Sequence, residues 1–379
     1  MKRFLFFLPA LLFFAGLFIF ISNVAHAAPI AQVVTGDMIS PRTDLSQCLT
    51  VNGSDPSSAP QIVLGACRGT VQQLWTHNVG AGQWQSGLNT SYCLATVGNT
   101  PSAGGSVTLR LCTDSRALTL EPNPTLTDSY RISGTLFVLD WGVYGKVAVA
   151  SQNGWDYQYF RWLQPDLDAV NSQGCAITYP FSSTDTATYN RELACDHVAK
   201  LQPPYQIPAA AQRDPSVFPG VVPAGAPVVN GRTFTFNLQF QDNSYARMAV
   251  APSNWKSTGL YAPAGQIITV TVNNVTATDL ANVYVQLGVH TDVLQPTSSN
   301  VANKQFLRFP NIVTRVRLQP GANQMRTPYG GLIVLVSTSS LSKTINVQID
   351  NGVEATYFVA GKTTEAEWLA RRTAPAPWG

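Results

Sequence analysis

The chain has 379 residues and a formal net charge of +3; only 12% of its residues are charged, whereas 45% are hydrophobic. No basic cluster occurs in the sequence beyond Arg371-Arg372, which argues against a phosphate-binding surface and against nucleic acid as a partner. The length suits two or three domains, and the frequent glycines and prolines favour short strands joined by turns.

The first 27 residues predict a cleaved signal peptide. Lys2 and Arg3 precede an apolar run from Phe4 to Ile21, and Ala25-His26-Ala27 fits a small-x-small cleavage site. The alternative is an uncleaved membrane anchor, because this run approaches the length of a bilayer span. We expect a secreted or exported, cell-surface protein that contacts a membrane only through this segment, if it is not cleaved.

Six cysteines in an exported chain predict disulfide bonds. Cys48 and Cys67 lie 19 residues apart, and Cys93 and Cys112 repeat that spacing with an offset of 45. The repeated spacing predicts the pairs Cys48–Cys67 and Cys93–Cys112. Elimination leaves Cys175–Cys195.

The same offset reveals an internal repeat over residues 36–165. Residues 48–51 recur as 93–96, and a version without cysteine follows at 138–141. A repeat of about 40 residues is too short to bury its own apolar face, so three of them predict one threefold all-β unit.

This region resembles a ricin-type β-trefoil lectin domain. Gln73-Leu74-Trp75 matches the Gln-x-Trp element of that family, residues 118–120 depart from it, and the third repeat keeps only Trp162. The resemblance implies that a sugar-binding carboxylate lies two residues after the first cysteine of a repeat. The first two repeats have Thr50 and Ala95 there, so we expect neither to bind sugar.

The third repeat has Asp140 at the corresponding position. We predict a carbohydrate site formed by Asp140, Trp141, Asn153 and Trp155. A carboxylate would accept hydrogen bonds from sugar hydroxyls, and an aromatic face would stack on the ring. The alternative is that Asp140 is a turn residue and both tryptophans belong to the core.

Residues 166–230 are predicted to connect two modules. Ser183-Thr184-Asp185 could cap a helix that runs to about Leu201, stapled by the disulfide Cys175–Cys195. A zinc role is the alternative, but only Asp196 and His197 are near. Seven prolines between Gln202 and Pro227 predict a semi-rigid spacer that holds the modules apart.

Residues 231–379 predict an antiparallel β-sandwich. Side chains alternate between apolar and polar in residues 233–240, 268–272, 283–287 and 345–349, and residues 332–336 form a continuous apolar run. Only residues 364–372 have a helical pattern. The predicted fold class is therefore mainly β: a ricin-like β-trefoil, a Pro-rich connector and an antiparallel β-sandwich.

From Ser257 onward the chain resembles the enhancin-like zinc metallopeptidases, also called mucin peptidases (metallopeptidase family sixty). The matching blocks are residues 257–265, 288–292, 328–333 and 374–378. The resemblance implies that this stretch opens the peptidase module and that the zinc motif HExxH lies further along a longer chain. This sequence contains no HExxH, so zinc is implied only for a full-length parent and we expect no cofactor or peptidase activity in the chain as it stands.

Two features inside these blocks could be mistaken for catalytic parts. His290 has no second histidine four residues away, so we expect it to have a structural role. We expect Tyr329-Gly330-Gly331 to form a β-turn, with a border of the substrate groove as the alternative.

These observations predict an exported protein whose partners are glycans or glycoproteins. It would correspond to the N-terminal part of a zinc peptidase that cleaves mucin-type glycoproteins, with a lectin-like module for attachment. The alternative is a non-catalytic carbohydrate-binding or adhesion protein.

Overall fold

The computed structural model describes residues 36–42, 44–122, 130–140, 147–151, 160–239, 255–292, 305–337 and 341–377. The predicted signal segment, residues 1–27, lies outside them. None of the described helices is long and apolar enough to span a bilayer. The described chain is mainly β, as predicted, and its strand pairs are antiparallel.

The described strands of the N-terminal module are β1 (Ile39–Pro41), β2 (Gln47–Val51), β3 (Ile62–Ala66), β4 (Trp75–Asn78), β5 (Gln83–Ser86), β6 (Asn89–Thr96), β7 (Val107–Leu111), β8 (Leu120–Pro122), β9 (Tyr130–Ile132), β10 (Phe137–Asp140), β11 (Ala148–Ser151) and β12 (Phe160–Trp162). The pairs β2–β3, β6–β7 and β10–β11 each contain one copy of the repeated segment. Three other pairs, β4–β5, β8–β9 and β1–β12, complete the set. Two kinds of strand pair, each present three times, form the predicted β-trefoil fold.

The core explains the repeat period of this module. Leu49, Leu94 and Leu139 are spaced 45 residues apart, are at most 3% exposed, and lie in one apolar cluster. Trp75 of the Gln-x-Trp element is fully buried beside them, and its indole Nε1 donates to the carbonyl of Leu49 (3.0 Å). Each repeat therefore contributes apolar residues to one shared core, which a single repeat is too short to form.

All three predicted disulfides are present, namely Cys48–Cys67, Cys93–Cys112 and Cys175–Cys195. The first two link the strands of equivalent hairpins in the first and second repeats. The third joins the residue after the C-cap of one connector helix to the C-terminal half of the next.

Replacing Cys48 and Cys67 together by alanine should lower the free energy of unfolding by about 3 kcal/mol. The bond spans 19 residues, and its removal gives the unfolded chain more conformational freedom. Urea denaturation of the variant and the wild type measures the loss. An unchanged midpoint and slope would show that this bond does not stabilise the trefoil.

The connector contains two helices, α1 (Leu163–Gln173) and α2 (Thr186–Ala199), together with the short strands β13 (Phe181–Ser182) and β14 (Val228–Val229). The helix predicted after Ser183 is α2, and the Asp185 carboxylate caps it by accepting from the amide of Thr188 (3.0 Å). Helix α1 was not predicted. It begins before the predicted trefoil boundary at residue 165.

The strands that complete the C-terminal module are β15 (Arg232–Asn237), β16 (Trp255–Ala262), β17 (Ile268–Val272), β18 (Val283–Leu287), β19 (Gln305–Phe306), β20 (Thr314–Arg317), β21 (Gly321–Met325), β22 (Gly331–Ser337), β23 (Thr344–Asp350) and β24 (Gly352–Glu354). One sheet has the order β14-β24-β16-β22-β18-β20 and the other β15-β23-β17-β21. Residues of both sheets, such as Leu335 and Val347, share one apolar core. This is the predicted β-sandwich.

A short helix, α3 (Glu365–Arg371), follows the sandwich where a helical pattern was predicted. Its first turn is closed by a capping box: the Thr364 hydroxyl accepts from the amide of Glu367 (3.3 Å), and the Glu367 carboxylate accepts from the amide of Thr364 (2.8 Å).

The proline-rich run does not hold the two modules apart, so that prediction was wrong. The trefoil contacts the sandwich directly: the Arg315 amide donates to the Ser46 hydroxyl (3.2 Å), and Arg68 Nη2 donates to the carbonyl of Gln324 (3.0 Å). The run itself packs against the helices, because Ala211 is fully buried with residues of α1 and α2 and Ile207 packs against the same cluster. Burial of its apolar side chains outweighs the tendency of prolines to extend the chain.

Candidate functional site

The sugar site predicted for the third repeat falls only partly within the described residues. Asp140 ends β10 opposite Ala148 and is 2% exposed. It lies one repeat period beyond Ala95 and two beyond Thr50. Trp141, Asn153 and Trp155 lie outside the described residues. The site therefore stays a prediction.

A buried set of charged side chains, which sequence reasoning missed, joins the connector to the sandwich. We call it the connector network and define it as Asp166, Glu192, Asp196, His197, Lys200 and Arg213. Each member is at most 8% exposed. One signal was available in the sequence, because Glu192, Asp196 and Lys200 recur every four residues and so share one face of α2.

An ion pair between Glu192 and Arg213 forms the first part of the network. Both side chains are 1% exposed, and the Arg213 guanidinium lies over the Phe309 ring, 4.7 Å from its centroid. Burial raises the pKa of Glu192, and the positive charge of Arg213 opposes that rise. Burial alone would lower the pKa of Arg213, but the neighbouring Tyr329 and Glu192 raise it. Burying either charge at this position without the other would therefore cost free energy of desolvation, so the two side chains depend on each other.

Asp196 forms the second part and reaches the sandwich. One carboxylate oxygen accepts from Lys200 Nζ (2.7 Å), and the other accepts from the Tyr329 hydroxyl (2.5 Å). Lys200 Nζ also donates to the carbonyl of Asn311 (3.0 Å). Burial raises the pKa of Tyr329, so this phenol remains a donor at neutral pH.

The block at residues 328–333, which resembles the enhancin-like peptidases, thus anchors the sandwich to the connector through Tyr329. Residues 328–329 form a bend that leads into β22 at Gly331. Because Tyr329 is fully buried, its side chain cannot line an open groove. Its neighbour Pro328 does line a cleft.

Asp166 and His197 form the third part, at the trefoil end of the helices. His197 Nδ1 lies 2.8 Å from one carboxylate oxygen of Asp166, and Arg161 Nη2 donates to the other (2.5 Å). Burial would raise the pKa of Asp166, but the hydrogen bonds and charges of His197 and Arg161 lower it overall. His197 therefore contacts Asp166 and not Asp196. Among the described residues, no three His, Cys, Asp or Glu side chains could hold a metal ion.

Asp37, near this end of the network, caps α1. Its two carboxylate oxygens accept from the amide of Gln164 (2.9 and 2.8 Å). Burial raises the pKa of Asp37 from 3.8 to about 6, more than its hydrogen bonds to backbone amides lower it. Its carboxyl group therefore binds a proton more tightly in the folded than in the unfolded protein.

The stability of the wild type should fall relative to an Asp37→Asn variant as the pH rises. A raised carboxyl pKa means that folding takes up a proton, so the favourable contribution is complete below the unfolded value of 3.8 and is lost through about 6. We expect a relative loss of about 1–2 kcal/mol, since Asp37 is partly screened by solvent. Urea denaturation at several pH values measures it. Parallel pH profiles of the two proteins would contradict this assignment.

A cleft of about 540 Å³ lies between the connector and the sandwich. Residues 206–222 supply one wall, and residues 263–265 with Pro328 supply the other. Arg213 and Arg326 are among its lining residues. Both sandwich segments belong to the blocks that resemble the enhancin-like peptidases, so those blocks meet in space. His290 packs edge-on against the Phe218 ring, with centroids 4.9 Å apart, which fits a structural role.

The sandwich, which forms one wall of this cleft, is similar in sequence to a known protein domain. Residues 235–350 match the N-terminal domain of M60-like peptidases. The match begins before Ser257, where the resemblance first becomes visible in the sequence, and it stops short of the block at 374–378.

Curated relatives match about a third of the chain. TRPM8 channel-associated factor 1 from Bos taurus is 35% identical over 127 residues, and that from Homo sapiens is 34% identical over 127 residues. The TRPM8 channel-associated factor homolog from Danio rerio is also 34% identical over 127 residues. Each match covers 33% of this chain and 13% of the relative, so the chain spans only a small part of their length.

Solved structures match parts of this chain at low identity and low TM-score. The IMPa metallopeptidase from Pseudomonas aeruginosa has a TM-score of 0.36 and 17% identity, over 55% of this chain and 22% of that one. The ZmpB metallopeptidase from Clostridium perfringens has a TM-score of 0.27 and 21% identity, over 37% and 28%. The β-trefoil lectin of the Vibrio vulnificus hemolysin/cytolysin has a TM-score of 0.27 and 15% identity, over 34% and 94%.

Proposed function

We propose that this chain is the glycan-attaching, N-terminal portion of an exported zinc peptidase that acts on mucin-type glycoproteins. The observation that carries the proposal is the match of residues 235–350 to the N-terminal domain of M60-like peptidases. The trefoil supports the attachment role through its resemblance to ricin-type lectins. The predicted signal peptide supports export.

The direct contact between the modules supports a joint role. The Ser46 hydroxyl accepts from a backbone amide of the sandwich, Arg68 donates to a backbone carbonyl there, and Tyr329 ties the sandwich to α2. A glycan held by the trefoil would therefore be presented at a defined side of the sandwich. Attachment of this kind raises the effective concentration of substrate at a linked catalytic part without any new contact there.

The chain's own described residues do not fit a catalytic zinc ion. Such a site takes three protein ligands, commonly two histidines on one helical turn with a carboxylate. His77, His197 and His290 have no such spacing, and His197 is fully buried against Asp166. We assign binding and positioning roles to these residues and derive no catalytic step from them.

The attachment role is tested by titrating the full chain against an array of mucin-type glycans. We expect binding, and we expect Asp140→Asn to weaken it at least about tenfold, because a carboxylate accepts stronger hydrogen bonds from hydroxyls than an amide does. Asp55→Asn, which removes the same charge from the first repeat, is the matched control and should bind as the wild type does. Thermal unfolding of both variants checks that the trefoil is intact.

Two outcomes separate the parts of the proposal. If no glycan on the array binds, the attachment role is wrong. The peptidase part is tested by reading the coding sequence beyond codon 379. An in-frame HExxH motif supports it, whereas an immediate stop codon leaves a carbohydrate-binding or adhesion protein as the better assignment.

A further inference from the structure

A second, smaller pocket lies where the first trefoil repeat meets the sandwich. We call it the junction pocket; it has a volume of about 220 Å³. Its polar lining consists of Thr50, Asn52, Arg68, Gln73, Arg317, Gln319 and Asn323. The first four belong to the trefoil and the last three to the sandwich, so the pocket exists only because the modules are in contact.

The charge of the junction pocket is entirely positive. No carboxylate is among its lining residues. Arg68 is partly buried, and within the described part of the chain its guanidinium donates to two backbone carbonyls, those of Pro203 and Gln324. Burial lowers the pKa of Arg68, and no acid in the described segments opposes this effect. The pocket therefore holds a guanidinium whose charge is not neutralised by any acid among the described residues.

Arg317 adds a second cation from the opposite wall. It lies on β20, and its Nε atom is buried without a hydrogen-bond partner in the described part of the chain. No ion pair of Arg317 is found among the described residues. An unpaired, half-buried guanidinium offers a planar set of donors that suits a carboxylate or sulfate.

The remaining lining suits a sugar ring that carries such an anion. Gln73 is held in place, since it accepts from the amide of Arg68 (2.8 Å) and donates to the carbonyl of Ala66 (2.7 Å). Asn52 and Gln319 are exposed amides that can bind hydroxyls. The volume is below the range of about 300–1,000 Å³ typical of ligand sites, which limits the occupant to about one sugar residue.

We propose that the junction pocket binds the anionic group of an acidic sugar, a carboxylate or a sulfate ester, through Arg317 and Arg68. The inference rests on the proposed glycan-attaching function and names the glycan class. It assigns the site to the first repeat, where Thr50 stands in place of a carboxylate. The absence of that carboxylate makes the pocket attractive to an anion instead of repelling it.

The test is calorimetric titration of the full chain with sialyllactose, sulfated lactose and neutral lactose. We expect sialyllactose or sulfated lactose to bind at least about tenfold more tightly than lactose. Binding should weaken as salt is raised, because screening reduces the attraction between the charges. Sialyllactose binding the more tightly would identify a carboxylate as the preferred anion, and sulfated lactose binding the more tightly would identify a sulfate.

Variants locate the site. Arg317→Gln should lower the affinity for the acidic sugar about tenfold or more, and Arg317→Lys should restore part of it by keeping the charge but not the planar donor set. Arg110→Gln is the matched control: Arg110 lies in the second repeat, one period beyond Gly65 of the pocket, and its loss should leave the affinity unchanged.

The inference is wrong if lactose binds as tightly as the acidic sugars, or if Arg317→Gln binds as the wild type does. Neither result would contradict the proposed glycan-attaching function. If none of the three sugars and no glycan on the array binds, both the inference and the attachment role fail. Thermal unfolding of each variant separates a lost contact from a lost fold.

Discussion

Replacing Arg213 by methionine should lower the free energy of unfolding by about 3–5 kcal/mol. The substitution keeps an apolar stem of similar length but leaves the Glu192 carboxylate buried without its counter-charge. Glu192 and Arg213 are each 1% exposed, so water cannot take the place of the lost partner. The loss should be the largest of any single change in the connector network.

A double variant distinguishes the stability lost when one charge is left unpaired from the net contribution of the ion pair to the free energy of unfolding. Glu192→Met combined with Arg213→Met removes both charges, and we expect it to recover most of the lost stability. Arg232→Met provides a matched control on a partly exposed pair, since the side chains of Arg232 and Glu354 are 36% and 28% exposed. Arg232→Met should lower the free energy of unfolding by no more than about 1 kcal/mol.

Urea denaturation followed by tryptophan fluorescence measures all of these variants. Equal losses for Arg213→Met and Arg232→Met would contradict the assignment of a buried, mutually dependent pair. A double variant that is less stable than Arg213→Met would show that the pair contributes more than mutual neutralisation.

Replacing Gly331 by alanine should cost about 4 kcal/mol, through backbone strain and overpacking together. Gly331 has a φ of +153°, which favours glycine. A Cβ atom there would lie 2.5 Å from Cα and 2.6 Å from N of Gly288. Because both contacts are to backbone, the neighbour cannot move aside by changing a rotamer. Strands β18 and β22 would have to separate.

Gly321→Ala is the matched control for this prediction. Gly321 lies in the same sandwich at a φ of +88°, but a Cβ atom there would meet nothing within 4 Å. Its substitution should cost only backbone strain, about 1–2 kcal/mol. The difference between the two variants in thermal or urea unfolding measures the close approach at Gly288. If the two variants lose equal stability, that close approach has no energetic consequence.

Much of the fold could be predicted from local sequence patterns. Two of the disulfides and the threefold all-β unit followed from one spacing, because equivalent residues such as Leu49, Leu94 and Leu139 must recur where three repeats share a core. The sandwich strands followed from period-two alternation, as in residues 345–349, because one face of each strand is buried. These features depend on residues that are near in sequence or related by a fixed period.

The structure of the connector was predicted less well than that of the two modules. Its prolines suggested an extended spacer, but apolar residues between them, such as Ile207 and Ala211, pack against the helices. Helix α1 was missed because its pattern is weak, with Leu163, Asp166 and Val170 as its buried residues. Packing against distant parts of the chain decided the structure of this segment.

The sequence by itself determined the modules, their fold classes and the disulfide pairs, because each is encoded by a short-range pattern or a repeat. Only the tertiary structure decided where the modules touch. The Tyr329–Asp196 hydrogen bond joins residues 133 positions apart, and the Ser46–Arg315 contact joins residues 269 apart. No periodicity encodes such distances. The connector network, the cleft and the junction pocket therefore appear only once the chain is folded.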